Sequence, residues 1–108
     1  MTETVQIPPN FAQFEAMVLN WADERGILAK ANTEAQMLKT GSEFGELCDA
    51  VAERDLDGVR DGIGDVLVTL ILQAHMQGLT VVECLAHAWD QIKDRKGKMV
   101  GGVFVKET

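Results

Sequence analysis

Apolar positions along this chain recur at helical spacing in four blocks, each bounded by a capping residue and a glycine or acidic turn. Asn10, just after Pro8-Pro9, is placed to cap a first helix over Phe11 to Arg25, closed by Gly26. A short link, Ile27 to Ala31, leads to Asn32 or Thr33 as the cap of a second helix reaching about Arg54. Asp55 or Asp57 starts a third, which runs to Gly78 past Gly58, Gly62 and Gly64. Thr80 with Glu83 three residues on forms a capping box for a fourth, ending near Gly97. The tail KMVGGVFVKE alternates around Gly101-Gly102 and predicts a short hairpin or extended tail. The expected fold is an all-α, four-helix bundle-like single domain over residues 1–108, with a helical core of about 10–97.

The second helix carries one apolar stripe, Met37, Gly41, Phe44, Cys48 and Val51, which reads as an ordinary core seam. The third differs. Val59, Ile63, Val66, Leu67, Leu70 and Ala74 form one stripe, while Val68, Leu72 and Met76 lie on the opposite side. A helix apolar all round must be covered all round. Either its three neighbours wrap it or a second subunit does, and a chain of 108 residues favours a homo-oligomer.

Composition narrows the classes. The net charge of -7 argues against binding a nucleic acid backbone, because Lys93, Arg95, Lys96 and Lys98 form the only basic cluster. The longest apolar run, Val66 to Leu72 with one Thr inside, is too short to span a bilayer, so no membrane role is expected. Cys48 and Cys84 lack CxxC spacing and read as small core residues in a reducing compartment. The polar start MTETVQIPPN lacks a basic-then-apolar signal, and the expected location is cytoplasmic.

The carboxylates change the picture most. Glu43 and Glu46, three apart, share a face of the second helix that borders its apolar seam. Asp61 and Asp65, four apart, share a face of the third that continues into Val68, Leu72 and Met76. Carboxylates aligned with an apolar stripe must be paired, protonated or neutralised by a cation. No lysine or arginine recurs on the Asp61–Asp65 face. If the two helices form an antiparallel hairpin, the Glu pair faces the Asp pair across a groove, an all-oxygen setting suited to Mg²⁺ or Mn²⁺. Ordinary solvated surface charge is the competing reading.

At this point a family resemblance enters. Gln36-Met37-Leu38-Lys39 followed by Ser42-Glu43-Phe44-Gly45-Glu46-Leu47 resembles the ExxE helix of the MazG-like (phage-type) all-alpha nucleoside triphosphate pyrophosphohydrolases. Ile63-Gly64-Asp65-Val66-Leu67 resembles that family's ExxD motif. Trp21 to Gly26 is similar to the end of its first helix, and Asp94 to Met99 to the C-terminal segment of small phage-type members. One departure stands out: the family's glutamate in the second motif is replaced by Gly62, with Asp61 one residue away as the substitute.

The resemblance implies a Mg²⁺-dependent helical dimer or tetramer that cleaves nucleoside triphosphates to monophosphate and pyrophosphate in a house-cleaning role. It implies Glu43, Glu46, Asp65 and Asp61 as metal ligands, with Glu43 or Glu46 also orienting the attacking water. Lys39 matches a basic position and either contacts phosphate or pairs with Glu43 within the helix. Arg95, with Lys96 as a weaker candidate, matches a cation that grips the phosphate tail; a solvated helix end is the alternative. Trp21 either stacks on a base or belongs to the core, and Trp89 reads as core with Leu85 and Ile92. His75 and His87 have no partner at ligand spacing. The rival function is a catalytically silent helical interaction or regulatory module that lost its site at Gly62.

Overall fold

A computed structural model describes residues 7–107. Five helices are followed by one hairpin: α1 Phe11–Glu24, α2 Ile27–Lys30, α3 Thr33–Ala52, α4 Leu56–Met76, α5 Val81–Ile92, β1 Gly97–Val100 and β2 Val103–Lys106. The caps are local chemistry. The Asn10 side chain accepts from the Gln13 amide and the Gln13 side chain accepts from the Asn10 amide, closing a capping box. Asn32 and Asp55 each accept from an amide three residues on, and Thr80 and Glu83 form a second box. Gly26 and Gly78 take left-handed backbone, φ 73° and 76°, and end their helices.

Two stretches differ from the pattern-based expectation. The Ile27 to Ala31 link winds into the single helical turn α2. The last helix stops at Ile92, leaving Lys93 to Lys96 as a connection. That connection leads to the hairpin, where Gly101 and Gly102 (φ 58° and 86°) make the two-residue turn that strand twist favours.

α3 and α4 are the longest helices, 20 and 21 residues, and form the main packed pair. Three contacts fix them as antiparallel. Gln73 donates to the Thr33 carbonyl at 2.9 Å. A Cβ on Gly62 would meet Leu47, and one on Gly58 would meet Ala50, each at 3.0 Å. This register sets Glu43 level with Asp65 and Glu46 level with Asp61. α1 packs across α4, while α5 leaves α4 at 97° and is not its antiparallel neighbour. No single helix among the described residues is long and apolar enough to cross a membrane.

The core is thin and lies around the C-terminal half of α4, where Thr69, Ile71, Leu72 and Ala74 are buried. The expected seam of α3 is corrected: Met37, Phe44 and Val51 are 51%, 57% and 58% exposed. α3 instead turns Thr40, Glu43, Leu47 and Ala50 toward α4, because Gly58 and Gly62 admit a close approach only there. Cys48 and Cys84 are exposed, not core, and Leu85, Trp89 and Ile92 of α5 are likewise exposed. Ile63 is half-exposed, so the chain's own helices do not cover α4 along its first turns.

Candidate active site

The close α3–α4 approach at Gly58 and Gly62 leaves a cleft of about 370 Å³ toward the connection between the two helices. Glu46, Asp61 and Asp65 line it, together with Asp49, Glu53 and Asp55. Three of the four carboxylates expected to meet therefore do share one cleft. The fourth, Glu43, is buried beside it, and its carboxylate takes the Lys39 ammonium at 3.0 Å. Among the described residues no three acidic, histidine or cysteine side chains stand close enough to form a preassembled metal cage. The donor set is all carboxylate oxygen, the type that hard divalent cations prefer, so its chemistry fits Mg²⁺.

Lys39 reports the field of this cleft. Its hydrogen bond to Glu43 and then the Glu43 charge hold its ammonium above the ordinary 10.5, against a smaller desolvation effect. The charges of Glu46 and Asp65 push the same way. One cation thus feels Glu43, Glu46 and Asp65 together. The intrahelical Lys39–Glu43 pair is formed, and it satisfies a carboxylate that burial would otherwise penalise.

Gly62 occupies the motif position where glutamate was expected. Its missing side chain points at the Leu47 backbone, with a Cβ falling 3.1 Å from Leu47 Cα, so this position faces α3 and not the cleft. Asp61, one residue earlier, lines the cleft in its place.

A second cleft of about 390 Å³ adjoins the first through Asp65, which lines both. Its walls are Phe14, Met17, Val18, Trp21 and Val68. Trp21 is therefore a partly exposed wall, not core, and the Arg25 guanidinium lies 4.9 Å from its ring centroid. Arg95 and Lys96 sit exposed between α5 and β1 and line neither cleft. Asp49 and Glu53 lie outside the family motifs, and the signal for them in the sequence is that they continue the Glu46 face at helical spacing.

Residues 31–100 match the MazG nucleotide pyrophosphohydrolase domain, a stretch that holds α3, α4, α5 and β1 and every carboxylate of the acidic cleft. An uncharacterized 18.2 kDa protein in the rep-hol intergenic region of Haemophilus phage HP1 is 37% identical over 54 residues, covering 50% of this chain and 33% of that protein. The chain thus aligns with about a third of that relative's length. No solved structure matches. With well over half its length matched and the acidic faces of α3 and α4 opposed across one groove, the chain belongs to the MazG nucleotide pyrophosphohydrolase domain family.

Proposed function

We propose that this protein is a Mg²⁺-dependent nucleoside triphosphate pyrophosphohydrolase of the house-cleaning type. The single observation that carries the reading is the shared cleft: Glu46, Asp61 and Asp65 line one groove between α3 and α4, inside the family-matched segment. Glu46, Asp61 and Asp65, with Glu43 beside them, would hold the divalent metal, which would supply charge neutralisation for the phosphates and a more acidic water.

The chain's own residues then divide the work. The apolar cleft against Trp21 and Phe14 takes the base, and Asp65, common to both clefts, marks the junction of base and phosphate ends. Water attacks the α-phosphorus, the bond from that phosphorus to the bridging α–β oxygen breaks, and pyrophosphate departs. The water's proton passes to Glu43 or Glu46. Lys39, already paired with Glu43, exchanges toward phosphate when substrate arrives. Arg95 and Lys96 are assigned to the phosphate tail, which requires that they reach the cleft from elsewhere in an assembly.

That assembly has support of its own. The Cα radius of gyration is 17.3 Å, against about 13 Å for a compact chain of this length. The accessible surface of 8655 Å² exceeds the roughly 5,900 Å² typical of a folded monomer this size by an amount comparable to an obligate interface. Met37, Phe44 and Val51 on α3 and Leu85 and Trp89 on α5 contribute to the excess. In this reading two or four chains pack these faces together and close the four-helix bundle. The location remains cytoplasmic in this proposal, with no nucleic acid or membrane partner.

Pyrophosphate release from a panel of ribo- and deoxynucleoside triphosphates tests the activity. Glu46→Gln, Asp65→Asn and Glu43→Gln should each slow it at least a hundredfold, roughly the loss of two pK-scaled increments of transition-state stabilisation. Near-normal rates in all three would sink the proposal.

A further inference from the structure

We infer that Arg25 is a positioning residue for the base: its guanidinium covers the far face of the Trp21 ring and holds the other face toward the apolar cleft. This role rests on the reading that places a base in that cleft. Arg25 itself touches no part of the nucleotide.

The cleft needs such a device. Phe14, Met17, Val18, Trp21 and Val68 line it, and Asp65 is the one ionisable side chain among them. Asp65 also belongs to the acidic cleft next door. With so little to hydrogen-bond a base edge, the hold on a base falls on aromatic faces, which stack on any base. Trp21 is 42% exposed, so packing alone does not fix its indole. A swing to another rotamer would turn the face away from the cleft.

The end of α1 supplies the restraint. Phe14, Met17, Val18 and Trp21 stand at i, i+3, i+4 and i+7 on one face of the helix, and Arg25 continues that stripe one turn on. The other α1 residues of the cleft therefore lie on the N-terminal side of the indole, and Arg25 lies on its C-terminal side. Arg25 lines neither cleft. Its guanidinium carbon sits over the Trp21 ring, 4.9 Å from the centroid and within cation–π range. Two further contacts keep it there. Arg25 Nη1 donates to the Trp21 carbonyl at 3.2 Å, a last-turn carbonyl left free because the Arg25 amide turns to the Asp23 carbonyl. The same Nη1 lies 3.9 Å from the Glu24 carboxylate. One side chain thus ties the backbone of Trp21 to its own ring.

The test uses full chains carrying Trp89→Phe, which leaves Trp21 as the one tryptophan. Ribo- and deoxynucleoside triphosphates with a methylene α–β bridge, which resists cleavage, should quench Trp21 fluorescence on binding. Arg25→Ala and Arg25→Met should each weaken that binding about two- to fivefold, the size of one exposed cation–π contact. Arg25→Lys, which keeps a cation, should lose less. In hydrolysis of natural triphosphates by chains that retain Trp89, the same loss should fall on KM and leave kcat unchanged. Inorganic triphosphate, which has no base, should compete equally well in every variant. Unchanged affinity in Arg25→Ala, or no quenching by any analogue, overturns the proposal. An Arg25→Met protein that binds as tightly as wild type also overturns it, since bulk and not charge would then hold the ring. So does a parallel loss of inorganic triphosphate, which would make Arg25 a phosphate contact. If the analogues bind and Arg25→Ala weakens them while wild type releases no pyrophosphate, the hydrolase reading falls and the positioning role stands. Normal turnover with KM unmoved by Arg25→Ala gives the reverse.

Discussion

Gly62 and Leu47 meet so closely that a single added carbon on Gly62 would lie 3.0 Å from both Cβ and Cδ1 of Leu47. This contact sets the depth at which α3 and α4 pack, and with it the width of the cleft holding Glu46, Asp61 and Asp65. Gly62→Ala gains about 1 kcal/mol of helix propensity but incurs about 1–3 kcal/mol of overpacking against backbone that cannot yield. Net destabilisation is expected, and Gly62→Glu, which restores the family residue, should destabilise further without adding activity. Gly64→Ala in the same helix, where added carbon meets nothing within 4 Å, should instead stabilise. Thermal melts of the three variants decide it: a Gly62→Ala protein that melts above wild type would refute the close-packing account.

The caps were readable from sequence because each is a contact over three residues: Asn10 to Gln13, Asn32 to Ala35, Asp55 to Gly58, Thr80 to Glu83. The opposition of the Glu and Asp faces was readable for the same reason, since spacing fixes a helix face and a short connection fixes the hairpin. The inward side of α3 was not. Its apolar stripe through Met37, Phe44 and Val51 looks like a core seam, yet one chain carries more apolar stripe than its own helices can cover. The glycines of α4 decide which face turns inward, and that is a relation between helices invisible to the periodicity of either. Asp49 and Glu53 belong to no motif, and only the packing of α4 against α3 extends the cleft along the two turns beyond Glu46 that carry them.

The Lys39–Glu43 pair yields a pH prediction. The folded state holds the Lys39 ammonium above 10.5, chiefly through the Glu43 hydrogen bond. A group whose pKa is raised on folding contributes stability that is fully present below its unfolded value and is lost as pH climbs through the folded one. The stability gap between wild type and Lys39→Met should thus stay flat through neutral pH and shrink only in alkali above about 10.5. Urea unfolding of both proteins from pH 7 upward measures this. A gap that closes already between pH 7 and 9 would contradict it.

Glu15 supplies a tertiary cap. Its buried carboxylate accepts the Val81 amide at 2.6 Å, across 66 positions of sequence, and ties the start of α5 to α1. No local pattern announces such a contact. Charged hydrogen bonds of this kind contribute about 1.5–3 kcal/mol, and here the effect concentrates on α5, which has few other tertiary anchors. Glu15→Ala should speed hydrogen exchange of the α5 amides far more than those of α3. Uniform acceleration across both helices would point to a global loss of stability and away from a cap.

Arg54 follows the α3 cap residue in left-handed backbone, φ 58°, where glycine is the usual occupant. The Asp55 amide reaches back to the Ala50 carbonyl at 3.0 Å, closing the helix end around it. A non-glycine residue in this conformation carries a cost of about 1–2 kcal/mol, partly offset in glycine by its looser unfolded chain. Arg54→Gly should therefore stabilise by about 1 kcal/mol, read as a higher urea midpoint with an unchanged slope. Because Arg54 has no ion pair among the described residues, no lost contact opposes the gain.

Divalent metal should act on stability before any substrate is present. The cleft concentrates Glu46, Asp49, Glu53, Asp55, Asp61 and Asp65 without a basic residue among them, and their mutual repulsion is a standing cost in the free protein. Because no three of the described acidic groups are preassembled as a cage, part of the binding energy goes into drawing them together. A ligand at a hundred times its Kd still stabilises the native state by about 2.7 kcal/mol. Mg²⁺ should raise the melting temperature of wild type by several degrees, and Ca²⁺ or added NaCl at matched ionic strength should do so less. Asp65→Asn should remove most of the Mg²⁺ response while raising the metal-free melting temperature, because it relieves repulsion. A catalytically silent helical module predicts the opposite pattern: equal responses to Mg²⁺ and to matched NaCl in both proteins, from screening alone. The two functional readings therefore separate on four melting curves.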